Sequence, residues 1–224
     1  MDILWSSIYQ NLIKGSRYLY YLSGLKTTIL LSLAAIACGI LLGFVATFLR
    51  RSRFKLFRAI GYIYVDVIRG TPSVVQLTLI YFVVFASVNI DKFIIALIAF
   101  GLNSGAYISE IFRAGLESID KGQTEAGRSL GLSSSQTMIY IILPQAVKNI
   151  LPALVNEFIM LVKETAIVGF IAMEDLNRAS EIVQSITYAP FAPRIIVAIV
   201  YYIVIKLLTL ALGRFERWLK KSEH

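Results

Sequence analysis

Long apolar stretches, each free of charge or nearly so, set the pattern of this chain. Residues 27–49, 70–90 and 93–109 contain no charged side chain, and residues 195–213 contain only Lys206. A helix needs about 20 residues to cross a hydrocarbon core about 30 Å thick, so each of these runs predicts a transmembrane span or most of one. A fifth run, residues 149–173, has the length of a span but is interrupted by charge. The pattern therefore predicts an all-α, polytopic membrane helix bundle of about five transmembrane helices, forming one domain over residues 1–224. Its expected parts are an outer interfacial helix over 1–24, spans over 25–49, 59–89, 92–118, 148–173 and 193–213, a cytoplasmic loop over 119–147, and a cytoplasmic tail over 214–224. The interfacial helix is expected because Trp5, Tyr9, Tyr18, Tyr20 and Tyr21 stand among aliphatic and polar residues, as in helices lying at the headgroup level. The start of the chain lacks the basic residues of a secretory signal, so no cleaved leader is expected.

Composition agrees: of 224 residues 57% are hydrophobic and only 16% charged, against about 25% charged in ordinary soluble domains. The net charge of +8 changes the picture through its placement. Arg50, Arg51, Arg53, Lys55 and Arg58 follow the first span, and Arg214, Arg217, Lys220 and Lys221 follow the last. By the positive-inside bias both ends are cytoplasmic, which places the N-terminus outside and the 119–147 loop, with Lys121 and Arg128, inside. A nucleic-acid role is not expected, because the basic runs have no soluble fold attached to them.

Several chemistries fall away. Cys38 is the single cysteine and His224 the single histidine, at the chain's end, so no internal disulfide, metal cluster or imidazole catalysis is expected. The segment GLKTT at residues 24–28 lacks the earlier glycine of a phosphate-binding loop, and Lys26 is read as an interfacial anchor. Energy from ATP would have to come through another polypeptide.

Polar residues inside the spans are the candidate sites. In YVDVIRGTPSVVQL, Asp66 and Arg69 are spaced to pair, Gly70 permits a break, Thr71 can cap and Pro72 suits a first helical position. The second span is thus expected as a broken helix, serving either as a gate or lining or as the packing of a helix foot. Glu110, Arg113 and Glu117 share one stripe of the third span and can satisfy one another, a structural reading, with a solute role the alternative. The preceding Ser104, Gly105 and Ala106 suit close helix contact. In the fourth span Glu157 and Glu164 lie seven apart and so on one face, with Asn156 and Lys163 beside them. None of these has a partner at a facing spacing, so each must meet a neighbouring helix or a solute pathway, and lipid exposure is excluded. Asn156, Glu157, Met160 and Glu164 are the pathway candidates. The acids would suit an ammonium or guanidinium group, and Lys163, grouped with the structural or gating residues Arg69, Gly70, Pro72, Glu110 and Arg113, could receive a carboxylate.

The loop predicts an elbow of two short helices. The first starts near Thr124, shows small residues at Ala126 and Gly127, and closes at Gly131 in a left-handed cap. Ser133 and Gln136 have capping-box spacing at the start of the second, which Pro144 is expected to end or kink, with Pro152 near the start of the fourth span.

Glu125, Ala126, Gly127, Gly131, Ile141, Leu143 and Pro144 match the EAA signature, and the chain resembles the permease subunits of ATP-binding-cassette importers that carry it. RGTP at residues 69–72, SGAYISEIFRAGLESIDKGQTEAGRSLGL at 104–132 and LPQAVKNILPALVNEFIMLVKETAIVG at 143–169 resemble the polar amino acid branch, over nearly the whole chain. Gly127 replaces the usual third alanine, and KETA at 163–166 stands where a Lys-Asp-Thr-Ser pattern is common. The resemblance implies the type I importer permease architecture, with the elbow as a coupling helix in which Glu125, Ala126, Gly127, Ser129, Leu130, Gly131 and Leu132 meet a separate ATPase subunit. It also implies a second permease subunit, identical or paralogous, an extracytoplasmic binding protein, and a polar amino acid carried by alternating access. ATP and Mg2+ would be held by the partner, so no cofactor and no catalytic site is expected in this chain. The alternatives are a gradient-driven carrier using the buried acids and a scaffold for the ATPase that transports nothing, although secondary carriers usually build larger bundles from repeats.

Overall fold

The computed structural model describes residues 6–221; Trp5, His224 and the side chains of Lys220 and Lys221 lie outside what it describes. Its main elements are helices α1 (Tyr18–Arg50), α2 (Lys55–Arg69), α3 (Ser73–Leu79), α4 (Lys92–Glu117), α5 (Lys121–Ser129), α6 (Ser134–Thr137), α7 (Leu143–Glu164), α8 (Leu176–Thr187) and α9 (Ala192–Lys221). Four helical runs are long and apolar enough to cross a membrane, and α2 with the run Ser73–Val84 makes a fifth, bent by 108°.

The first span begins at Tyr18, not at residue 25, so the expected interfacial helix is divided. The chain turns at Gly15 and Ser16, both at positive φ, and everything from Tyr18 onward joins the membrane helix. Tyr21 is buried there against Leu176, Ala179, Val183 and Val197, while Tyr18 and Tyr20 stay exposed. Along α1 the buried positions are mostly small: Gly24, Thr28, Ser32, Ala35, Gly39, Gly43 and Ala46. Without a hydrophobic drive between helices in lipid, such residues let two backbones come close enough for dispersion contacts. The partner is α4. A Cβ on Gly39 would lie 2.9 Å from that of Ser104, and one on Gly43 would lie 2.7 Å from Ile108. Gly105 is equally confined, 2.7 Å from the Tyr64 hydroxyl, so the small run expected to serve packing does so. A core of Leu31, Leu77, Ala99, Phe100, Leu161 and Val168 fills the space between α1, α3, α4 and α7.

The break in the second span falls where the sequence places it but is closed by other groups. Gly70, the first residue after α2, keeps near-helical angles, Pro72 stands just before α3 in an extended conformation, and no side chain caps α3. The Thr71 hydroxyl bonds back to the Val67 carbonyl at 2.9 Å instead of capping forward. The freed carbonyls of Ile68 and Thr71 are met by the amide of Gln76, at 2.7 and 3.0 Å, and that amide accepts from Asn103 of α4 at 2.9 Å. This is how a helix break is satisfied at membrane depth.

Pro144 does not end its helix. Ser134–Ile171 is one continuous helical run of 38 residues, so the fourth span starts inside the expected 119–147 loop. A π turn over Met138–Ile142 precedes the proline. Such a turn shifts the carbonyls that the ring would otherwise strike. Helix α8 was not anticipated. It lies between α1 and α9, with the buried Asp175 as N-cap accepting from the amides of Asn177 and Arg178 at 3.2 and 2.8 Å. Its sequence signal was that cap.

Candidate functional site

Two places gather the residues of interest: the elbow and an open cleft between α2, α4 and α7 on one face of the bundle. The elbow is built by local chemistry. Asp120 caps α5 by accepting from the Gly122 amide at 2.6 Å, and Ser133 with Gln136 forms the full capping box at α6. Between them the chain makes a Schellman turn, the Leu132 amide bonding to the Gly127 carbonyl at 3.1 Å and the Gly131 amide to that of Arg128 at 3.0 Å. Gly131 sits at φ +85, which closes the turn and which a Cβ-bearing residue rarely adopts.

Gly127 is buried, and its lack of a side chain serves the elbow itself. A Cβ there would lie 2.7 Å from Thr137 and 2.9 Å from Ile141, so the small residue lets α5 close on the following helix and is not part of the open surface. The surface offered outward comprises Glu125, Ala126, Ser129 and Leu130, with Leu132 half-buried. Leu130 is 80% exposed, a large apolar side chain at the tip of an otherwise polar helix. Replacing Gly131 by valine should therefore strain only this turn, at a cost of about 1–2 kcal/mol. The purified chain should keep its helical circular dichroism while its thermal midpoint falls by a few degrees, and Gly131→Asn, which tolerates left-handed backbone, should lose less.

In the bundle Glu110 is the hub. Its carboxylate meets Arg50 at 2.6 Å, Arg113 at 2.8 Å and Arg69 at 3.6 Å, so one acid of α4 ties the ends of α1 and α2 to its own helix. Arg113 also pairs with Glu117, as the stripe spacing predicts. Arg69 faces Glu110 and lies over the Tyr107 ring, and the expected Asp66 pair does not form. The Arg50 side chain is only 9% exposed, bonds the Ser109 hydroxyl at 3.2 Å and lies over Tyr62. Sequence reading assigned Arg50 to the surface basic cluster and so missed it, along with Gln76, Asn103 and Tyr64, whose hydroxyl donates to the Leu102 carbonyl at 2.7 Å. The available signal was that Arg50 stands first in its cluster, next to the span.

Beside this hub a cleft of about 350 Å³ is lined by Arg69, Tyr107, Glu110, Arg113, Asn156 and Glu157. Glu157 accepts from the Ser104 hydroxyl at 2.9 Å, a partner supplied by α4 and invisible to spacing along α7. Its remaining acceptor sites have no partner among the described residues. The structure thus divides the fourth-span candidates. Asn156 and Glu157 share the cleft with Arg69, Glu110 and Arg113, while Met160, Lys163 and Glu164 lie further along α7 outside it. Asn156, Met160 and Lys163 are exposed at steps of four and three, and Glu164 is half-buried with no hydrogen bond or ion pair among the described residues. Gly70 and Pro72 act on the cleft only by placing Arg69 at the bend.

A multi-pass helical bundle with an open, charge-lined cleft on one face and an elbow at its basic end has the make-up of a membrane permease subunit. Residues 20–221 match the family described as binding-protein-dependent transport system inner membrane component, and the chain belongs to that family. It is 41% identical over 206 residues to the arginine transport system permease protein ArtQ of Bacillus subtilis, covering 91% of this chain and 94% of that one. It is 40% identical over 195 residues to the putative glutamine transport system permease protein GlnP of Rickettsia typhi, covering 86% and 89% of the two chains. A crystal structure of an amino acid ABC transporter with histidines superposes with a TM-score of 0.86 at 43% identity, covering 89% of this chain and 94% of that chain. The architecture is that of a type I ABC importer permease, and the protein is a multi-pass membrane protein.

Proposed function

We propose that this chain forms one half of the membrane pathway of an ATP-driven importer for a polar amino acid, and that Glu157 contacts the solute. The observation that carries the reading is the placement of Glu157: a carboxylate inside the bundle, held by one hydroxyl and open on its other side to a cleft. An ionised group at such depth is costly unless a partner or a wet pathway receives it. The guanidinium or ammonium of an amino acid would fit, and relatives at about this identity are named for arginine and glutamine transport.

The exposed polar face of α7 supports a second permease subunit. Asn156, Met160 and Lys163 face outward on a helix that belongs inside a membrane, and a neighbouring copy or paralogue would cover them around a shared path. The elbow would seat in a groove of a cytoplasmic ATPase holding ATP and Mg2+, with Leu130 and the Glu125 face as the contact. The basic residues Arg50, Arg51, Arg53, Lys55 and Arg58 lie at the end of the bundle near the elbow, which makes that end cytoplasmic under the positive-inside bias and leaves the other for an extracytoplasmic binding protein. Closure of the ATPases would draw two elbows together and rock the spans between inward-facing and outward-facing packings.

The test is uptake by proteoliposomes containing the full complex, against a panel of basic, acidic, amide and sulfur amino acids. Glu157→Gln should reduce uptake of the preferred solute about 10- to 100-fold, the size of a lost charge-assisted hydrogen bond, while the complex still assembles. Glu164→Gln, outside the cleft, should have a smaller effect. Unchanged uptake of every amino acid by the Glu157 variant would make that carboxylate a structural partner of Ser104.

A further inference from the structure

A second and larger cavity, about 520 Å³, opens at the basic end of the bundle between the ends of α1 and α4, the flank of α2 and the elbow. Four cations line it, Arg50, Arg51, Arg113 and Lys121, against one carboxylate, Glu117. Arg50 and Arg113 are engaged with Glu110 just behind the wall, and Arg113 with Glu117. Two acids therefore answer four cations. Arg51 and Lys121 make no ion pair among the described residues, and both are exposed. Arg50 makes its ion pair and hydrogen bond through Nη1 alone, and its buried Nε has no partner. The hydroxyl of Thr124 adds an unengaged donor to the rim, while Leu116, Met138 and Ile142 supply an apolar wall.

A concave site with uncompensated positive charge concentrates anions, and basic pockets between transmembrane helices near the membrane surface suit anionic head groups. The mixed wall is informative. Cations on one side and aliphatic side chains on the other fit a phosphate that carries a hydrocarbon-bearing substituent better than they fit a bare solvated ion. We propose that this cavity binds a phosphate group, supplied either by an anionic phospholipid or by free phosphate, with Arg51 and Lys121 as its unshared cations. An occupant would bridge Lys121 and Thr124 of the elbow to Arg51 at the foot of α1, and so brace the elbow against the bundle. This site shares only Arg113 with the solute cleft, and its test does not require transport.

The purified full chain in detergent is titrated with phosphatidylglycerol, with phosphatidylcholine, and with inorganic phosphate at matched ionic strength, while the thermal unfolding midpoint is followed. Phosphatidylglycerol should raise the midpoint saturably and phosphatidylcholine should not. A rise with phosphatidylglycerol alone assigns the site to lipid, and a rise with inorganic phosphate as well assigns it to the phosphate group itself. The double variant Arg51→Gln with Lys121→Gln should weaken the half-saturation point about 25-fold, from about fivefold for each cation near an anionic surface. Arg53→Gln with Arg58→Gln, which removes two nearby cations outside the cavity, should titrate as the parent does. A rise with inorganic phosphate alone assigns it to free phosphate; the proposal is overturned if neither phosphatidylglycerol nor inorganic phosphate acts differently from phosphatidylcholine, if the Arg51 and Lys121 variant binds as the parent does, or if the control variant loses as much.

Discussion

Replacing Gly24 by valine is expected to lower the thermal unfolding midpoint of the detergent-solubilised chain by about 6–12 °C, from a loss of about 3 kcal/mol in a chain of this size. A Cβ at Gly24 would lie 2.5 Å from the Asp175 carbonyl oxygen, 2.7 Å from its carbonyl carbon and 2.8 Å from the Leu176 Cα. All three are backbone atoms, so no rotamer change relieves the contact. Helix α8 must move away from α1, breaking the bond from the Leu176 amide to the Thr28 hydroxyl at 3.2 Å and loosening Tyr21 from Val183 and Val197. Alanine should cost almost as much, because the Cβ itself is the obstacle. Gly213→Ala is the matched control: nothing lies within 4 Å of a Cβ there, so it should be neutral or stabilising by up to about 1 kcal/mol. Equal midpoints for the Gly24 and Gly213 variants would show that α8 does not pack on α1 as described.

Glu110→Gln is the second large effect, and it should reach both stability and transport. Arg50 is 9% exposed and Glu110 is 19% exposed, so removing the acid leaves a nearly buried guanidinium with only the Ser109 hydroxyl and the Tyr62 face. Breaking a buried pair from one side costs about 3–5 kcal/mol, and the partial exposure of Glu110 reduces this to about 2–3 kcal/mol. Arg69 and Arg113 would also lose their shared anchor at the bend of the second span and at the cleft. Uptake should therefore fall more than stability alone accounts for. Glu117→Gln removes an ion-pair partner that is 63% exposed, and its cost in stability should stay below about 1 kcal/mol. If both glutamate variants behave alike, Glu110 is an ordinary surface partner of Arg113 and the three-helix hub has no energetic weight.

Much of the molecule was legible in the sequence because the relevant physics is local or set by the membrane. The spans follow from runs long enough to bury every backbone group in a helix, and the break after Gly70 from Pro72, which cannot continue one. The elbow followed in the same way. Its turn at Gly131 and its capping box at Ser133 and Gln136 depend on atoms within five residues of each other. The Arg113 pairs with Glu110 and Glu117 are likewise fixed by helical spacing.

What the sequence left open, the packing decided. Spacing alone offered Asp66 as the partner of Arg69 and nothing to Glu157; contact between α2, α4 and α7 gave Arg69 to Glu110 and Ser104 to Glu157. It drew Arg50 out of a basic surface cluster into an ion pair, and it turned Gly127 inward onto Thr137 and Ile141. It also separated Glu157 from Glu164, which one helix face had joined, by closing a cleft around the first alone. A helix's period fixes which residues share a side, but what stands opposite that side depends on a second helix brought there by loops and by glycines small enough to admit it. That is why the class of protein could be read along the chain, while the partners of its buried charges appeared only when the helices were set together.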